Sequence, residues 1–77
     1  MTSLCTRFGR AVRLLREARG WSQERLAEYA DLNRSYLGEI ERGGVAPSLV
    51  TVAKLAAALN VAAADLVARC EEAGPAR

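Results

Sequence analysis

On a helix covering residues 34–42, Ser35, Gly38, Glu39 and Arg42 fall on one side, with Arg34 and Tyr36 on its flanks. Leu37, Ile40 and Glu41 share the opposite, inward side. The outward set suits hydrogen bonding to anions and polar ring edges. Arginine carries a rigid fork of N–H donors, and a serine hydroxyl donates or accepts. Nothing in the chain suits bond-making. It has no histidine, no nucleophile beside a plausible base and no glycine-rich phosphate loop, and 77 residues are too few for a sizeable pocket. Cys5 and Cys70 lie near opposite ends without metal-ligand spacing, so neither a metal nor a cofactor is expected. A disulfide between them is possible, but free thiols are commoner in an intracellular chain.

The outward face needs a scaffold, and the pattern predicts five helices in one all-α domain spanning the chain. Hydrophobic residues make up 51% and aromatics only 5%, so Leu, Val, Ile and Ala must build the core. That favours packed helices. The first helix runs from about Leu4 to Arg19, with Phe8, Val12 and Leu15 inward and Gly20 as its stop. Ser22 caps a second helix reaching Ala30, and Asn33 caps a third that ends near Arg42 before Gly43-Gly44. Pro47-Ser48 opens the fourth, whose buried stripe is Val52, Leu55, Ala56 and Leu59. A fifth covers about Ala63 to Cys70 with Leu66 inward and no polar cap, and Glu71 to Arg77 are expected to fray. Trp21 is expected to be a lid on the core beside Gly20.

The second and third helices are separated by only a few residues. They can cross steeply if a small residue, Ala27, lies at the crossing. Asp31 tolerates the left-handed backbone the turn needs, Leu32 plugs the turn, and Leu37 with Ile40 anchor the third helix. This combination reads as a DNA-binding helix-turn-helix. On that reading Arg34 can donate two hydrogen bonds to guanine, Ser35 can serve a base edge or a phosphate, and Gly38 permits close approach to the groove floor. Tyr36 either reaches a base or packs its ring on the second helix. Arg34 and Arg42 can alternatively be solvated surface arginines, and Glu39 either accepts from a cytosine amino group or only repels phosphate.

Ser22-Gln23-Glu24-Arg25-Leu26-Ala27-Glu28-Tyr29-Ala30, followed by Leu32-Asn33-Arg34-Ser35-Tyr36-Leu37-Gly38-Glu39-Ile40-Glu41-Arg42-Gly43, resembles the phage-repressor/Cro-type helix-turn-helix family. The resemblance extends over about residues 8–68, through Arg13-Leu14-Leu15-Arg16-Glu17, Pro47-Ser48-Leu49 and Leu55 to Val61. Within the family, Arg34-Ser35-Tyr36-Leu37 and Ile40-Glu41-Arg42 are similar to the controller proteins of restriction–modification systems. The resemblance implies a compact five-helix repressor-like fold and a transcription regulator working on double-stranded DNA, with RNA polymerase as a further candidate partner. It places Gln23 and Arg42 on phosphates, with Asn33 beside them, and it implies that Arg16 and Glu41 pair to tie the first helix to the third. Two features depart from the family pattern. Asp31 stands at the turn position usually held by glycine, and Gly44-Val45-Ala46 lacks the basic residues common in that loop.

Charge and length complete the expectation. Residues 1–42 hold eight arginines against six acids, whereas residues 43–77 are neutral, so the whole surplus of +2 lies in the first half. Such a surplus is compatible with nucleic acid but does not establish it. The arginines at 7, 10, 13, 16 and 19 recur every three residues and drift around the helix, so most are expected to be solvated. No run approaches the roughly 18 apolar residues of a membrane helix, and there is no leader, so a cytoplasmic protein without a membrane partner is expected. One recognition helix reads too few base pairs to select a genomic site, which calls for a homodimer on a near-palindromic operator with half-sites roughly 10 base pairs apart. Val50, Ala57, Ala63, Val67 and Cys70 remain outside the buried stripe of the fourth helix; some of them form the candidate association face, or else, Val50 and Cys70 above all, they finish the small core. The rival from another class is a protein-interaction module on the same fold, such as an antitoxin-like partner binder.

Overall fold

The computed structural model describes residues 3–71. Among them five helices follow in order, α1 (Leu4–Ala18), α2 (Gln23–Ala30), α3 (Arg34–Arg42), α4 (Leu49–Ala58) and α5 (Ala63–Glu71). The all-α architecture is the one the apolar periodicity dictates. Of the segment expected to fray, Glu71 closes α5, and residues 72–77 lie outside the described residues. No single helix among the described residues is long and apolar enough to cross a membrane.

Short polar side chains start four of the helices. Ser3 Oγ accepts from the Thr6 N–H, Ser22 Oγ from Arg25, and Ser48 Oγ from Thr51, while Asn33 Oδ1 accepts from both Ser35 and Tyr36. Each such cap stabilises by about 1 kcal/mol. The ends are equally local. Asp31 adopts φ 56° and ψ 49°, and Gly43 φ 79°, so α2 and α3 both stop on a left-handed residue.

The core joins all five helices. Val12, Leu26, Leu37, Ile40, Leu55, Leu59 and Leu66 are fully buried, and Ala27, 3% exposed, lies among them on α2. α3 packs on α1 with no side chain between their backbones at Gly9. A Cβ there would lie 2.2 Å from the Ile40 carbonyl oxygen and 2.6 Å from that of Glu41. Only glycine fits this approach.

Several arginines of α1 are structural instead of solvated, contrary to expectation. Arg7 Nε donates to the Cys70 carbonyl at 2.8 Å, and Arg19 donates to the carbonyls of Leu15 and Leu59. Both supply donors where helix C-termini leave carbonyls without intrahelical partners. Arg13 pairs with Glu17 at 3.0 Å on the surface, where such a pair contributes little. The Arg19 guanidinium also lies over the Trp21 ring, which covers the core edge and meets Tyr29 edge-on at 4.8 Å.

Cys70 lies in this core. It is 1% exposed, and its thiol donates to the Leu66 carbonyl at 3.2 Å. Its spacing of four from Leu66 carries it to the inward side of α5. Burial raises the Cys70 pKa above its ordinary value, partly opposed by the charge of Arg7. A thiol whose folded pKa is raised contributes stability that is fully present below the unfolded pKa and is lost as pH rises through the folded one. Stability is therefore expected to decline as the pH climbs through and above the ordinary thiol range, and Cys70→Ala to remove that decline. Native alkylation with mass readout is expected to label Cys5, which is partly exposed, well before Cys70. Equal labelling rates would contradict this placement of Cys70.

Candidate nucleic-acid interface

The turn at Asp31 sets α3 across α2, and Leu37 and Ile40 hold it there from below. Its other side is presented outward. Arg34, Ser35, Gly38, Glu39 and Arg42 line one shallow surface cleft together with Gln23 from the start of α2. Arg34 and Ser35 are exposed. Arg42 Nη2 pairs with Glu39 Oε2 at 3.0 Å, and the Arg42 side chain lies over Gly38. A Cβ on Gly38 would stand 3.3 Å from Arg42 Nη1 and 3.8 Å from Gln23 Oε1. Gly38 is thus covered in the free protein, where the sequence pattern suggested an open position.

Asn33 does not line the cleft; it is exposed before Arg34 and uses its side-chain oxygen for the cap, so its amide N–H donors take no part in that bond. Tyr36 is not gathered into the cleft either. Its ring packs on the core and its hydroxyl lies 3.5 Å from Thr51 Oγ1. Tyr36 is half-buried, and its hydroxyl reaches α4.

Beneath the cluster lies a buried polar network. Arg16 Nε and Nη2 donate to Glu41 Oε2 and Oε1 at 2.7 and 3.0 Å, a two-pronged pair with side chains 11% and 3% exposed. Arg16 Nη1 donates to the Trp21 carbonyl at 2.8 Å, so the guanidinium also fixes the turn before α2. The hydrogen bond to Glu41 raises the Arg16 pKa above its ordinary value, against the lowering effect of burial. Arg16 stays charged at any working pH.

Gln23 joins this network, donating from Nε2 to Glu41 Oε1 at 3.0 Å. Sequence reasoning had placed Gln23 on phosphates and missed this tie, because nothing local links two residues on different helices. One carboxylate thus receives donors from α1 and α2 and fixes α3 against both. Among the described residues, every buried side-chain nitrogen and oxygen finds a partner. A helix held this way presents its outward side chains with little freedom in its own position, which favours recognition over adaptable packing.

Of the candidate association residues, Val50 (65% exposed), Ala57, Ala63 and Val67 (39%) are on the surface, and Cys70 is not. Leu49 (86% exposed), Leu14 (60%), Leu4 (53%) and Tyr29 (52%) are exposed as well. Leu4 and Val67 border an apolar groove that runs between α1, Pro47 and α5.

Five helices with a left-handed turn before an anchored, outward-facing α3 define a helix-turn-helix protein. The chain belongs to that family, whose model, described as helix-turn-helix, matches residues 12–66. In particular, it is similar to the restriction–modification controller protein C.AhdI from Aeromonas hydrophila. The two share 47% identity and a TM-score of 0.78, over 80% of this chain and 94% of that one. It is 39% identical to the control protein C.BamHI of Bacillus amyloliquefaciens over 84% of this chain and 88% of that protein. It is 35% identical to the transcriptional regulator SutR of Escherichia coli (strain K12) over 97% of this chain, which spans only 42% of SutR.

Proposed function

We propose that this chain is a sequence-specific DNA-binding transcription regulator, acting as a homodimer on a near-palindromic operator in the manner of a restriction–modification controller protein. The observation that carries the reading is the outward face of α3. Arg34 and Ser35 stand exposed at the start of a helix locked to α1 and α2 through Glu41. In this reading α3 enters the major groove and Arg34 takes guanine O6 and N7. Ser35 contacts an adjacent base edge or phosphate. Gln23, Asn33 and Arg42 hold the backbone on either side, where the N–H groups at the start of α2 also suit an anion. Tyr36 supports α3 from behind instead of reaching a base.

The second copy is joined through the apolar surface of α4 and α5, with Val50 and Val67 central and Leu49 and Leu4 beside them. The support is the exposure of Leu49 and Val50 at the start of α4 and the apolar groove that Leu4 and Val67 line. The protein works in the compartment that holds the DNA. Where the operator overlaps a promoter, RNA polymerase is the second partner, excluded or recruited according to the spacing.

Arg34→Ala tests the assignment. On the duplex that the wild-type protein selects from a random library, the variant is expected to lose about 1–3 kcal/mol and to relax preference at one base pair per half-site. Arg42→Ala, which removes a phosphate contact, is expected to weaken binding without relaxing preference at any single base pair. Fluorescence anisotropy on both duplexes reads the difference. Equal losses on both for Arg34→Ala would remove Arg34 from base recognition. An antitoxin-like interaction module would show no dependence on the duplex sequence at all.

A further inference from the structure

Glu39 stands at odds with its surroundings. It is a carboxylate, 50% exposed, on a face that otherwise offers Arg34, Ser35 and Arg42. Its Oε2 accepts from Arg42 Nη2 at 3.0 Å, and the pair is bracketed by two glycines. Gly38 lies under the Arg42 end, and at Gly44 a Cβ would meet Glu39 Oε1 at 2.7 Å. Neither glycine has a positive φ, which among the described glycines is confined to Gly20 and Gly43. Backbone conformation therefore does not demand glycine at 38 or 44. The room they leave is occupied by the ion pair.

We propose that Glu39 is a specificity-determining residue that exchanges partners on DNA. In the free protein its carboxylate pairs with Arg42 across Gly38. On the cognate site it releases Arg42 to a phosphate and accepts instead from the amino group of a cytosine, the base whose major-groove edge offers a donor to a carboxylate. This rests on the reading of α3 as the recognition helix. On a wrong sequence the exchange fails in one of two ways. Either Arg42 leaves and Glu39 faces acceptors and phosphates with no donor, or Arg42 stays and neutralises no phosphate. Both weaken binding away from the operator, so the carboxylate contributes to selectivity by penalising the wrong site as well as rewarding the right one.

The test compares wild type, Glu39→Gln and Glu39→Ala by anisotropy on the duplex selected by wild type and on a scrambled duplex, over a range of salt. Binding-site selection is repeated with Glu39→Ala, and circular dichroism checks that both variants remain folded. The expected result is tighter binding of scrambled duplex by both variants, with a salt slope steeper by roughly one. The ratio of selected to scrambled affinity is expected to fall by about tenfold or more, the discrimination of one good base contact. Glu39→Ala is expected to lose a required cytosine at one position per half-site. A ratio that stays within roughly threefold of wild type, or an unchanged selected sequence, overturns the exchange while leaving α3 as the recognition helix. A wild-type protein that selects no sequence overturns both.

Discussion

Glu41→Ala is expected to lower stability by about 3–5 kcal/mol, the loss typical of breaking a buried ion pair on one side. The thermal midpoint of so small a domain would then fall by at least roughly 12 °C. The substitution removes the acceptor for three hydrogen bonds, two from Arg16 and one from Gln23. It also leaves the Arg16 guanidinium charged in a site where its side chain is 11% exposed. The cost of that stranded charge exceeds the net worth of the pair, because its own desolvation largely offsets the attraction in the intact protein. Arg16→Met is accordingly expected to be destabilising alone, and the double variant Arg16→Met/Glu41→Ala to lose much less than the two single losses added together. Urea melts followed by circular dichroism measure the cycle. Simple additivity would show that the two side chains do not act as partners.

Gly9→Ala is the second large effect. Alanine is the better residue inside a helix by about 1 kcal/mol, so an exposed glycine there would improve on substitution. At Gly9 the added methyl would lie 2.2 Å from the Ile40 carbonyl oxygen, which is backbone and can yield only if α1 and α3 separate. The net result is expected to be a loss of about 1–3 kcal/mol, as for overpacking in other cores. Gly38→Ala is the control within the same protein. Its methyl would meet only the ends of two side chains, Arg42 at 3.3 Å, which swings aside, and Gln23 at 3.8 Å, an ordinary contact, so stability is expected to hold or rise slightly. Thermal melts that place Gly9→Ala at or above wild type would show that the α1–α3 approach is looser than the structure has it.

The features legible in the sequence are those that local chemistry determines. Helix order, the caps at Ser22, Asn33 and Ser48 and the left-handed turn at Asp31 all follow from residues within four positions of each other. The outward face of α3 followed as well, since Leu37 and Ile40 fix which side is buried. What escaped depends on contacts between distant residues. Arg7 and Arg19 cap carbonyls 63 and 40 residues away, which no helical period encodes. Gln23 is drawn to Glu41 only because α2 and α3 meet there. Tyr36 lies on the flank of α3, and only the position of α4 decides which way its ring turns. Gly9 did carry a signal, since a glycine between Phe8 and Val12 on an apolar face marks a close approach, and of the two readings open for Cys70 the four-residue step from Leu66 favours core.

Two copies of α3 reading one DNA site are tested most directly by selection of bound duplexes from a random library at physiological salt. The expected outcome is a near-palindrome whose half-sites lie roughly 10 base pairs apart, each with a guanine that Arg34→Ala no longer requires. Enrichment of no sequence, or of an isolated half-site bound with full affinity by a single copy, would contradict it.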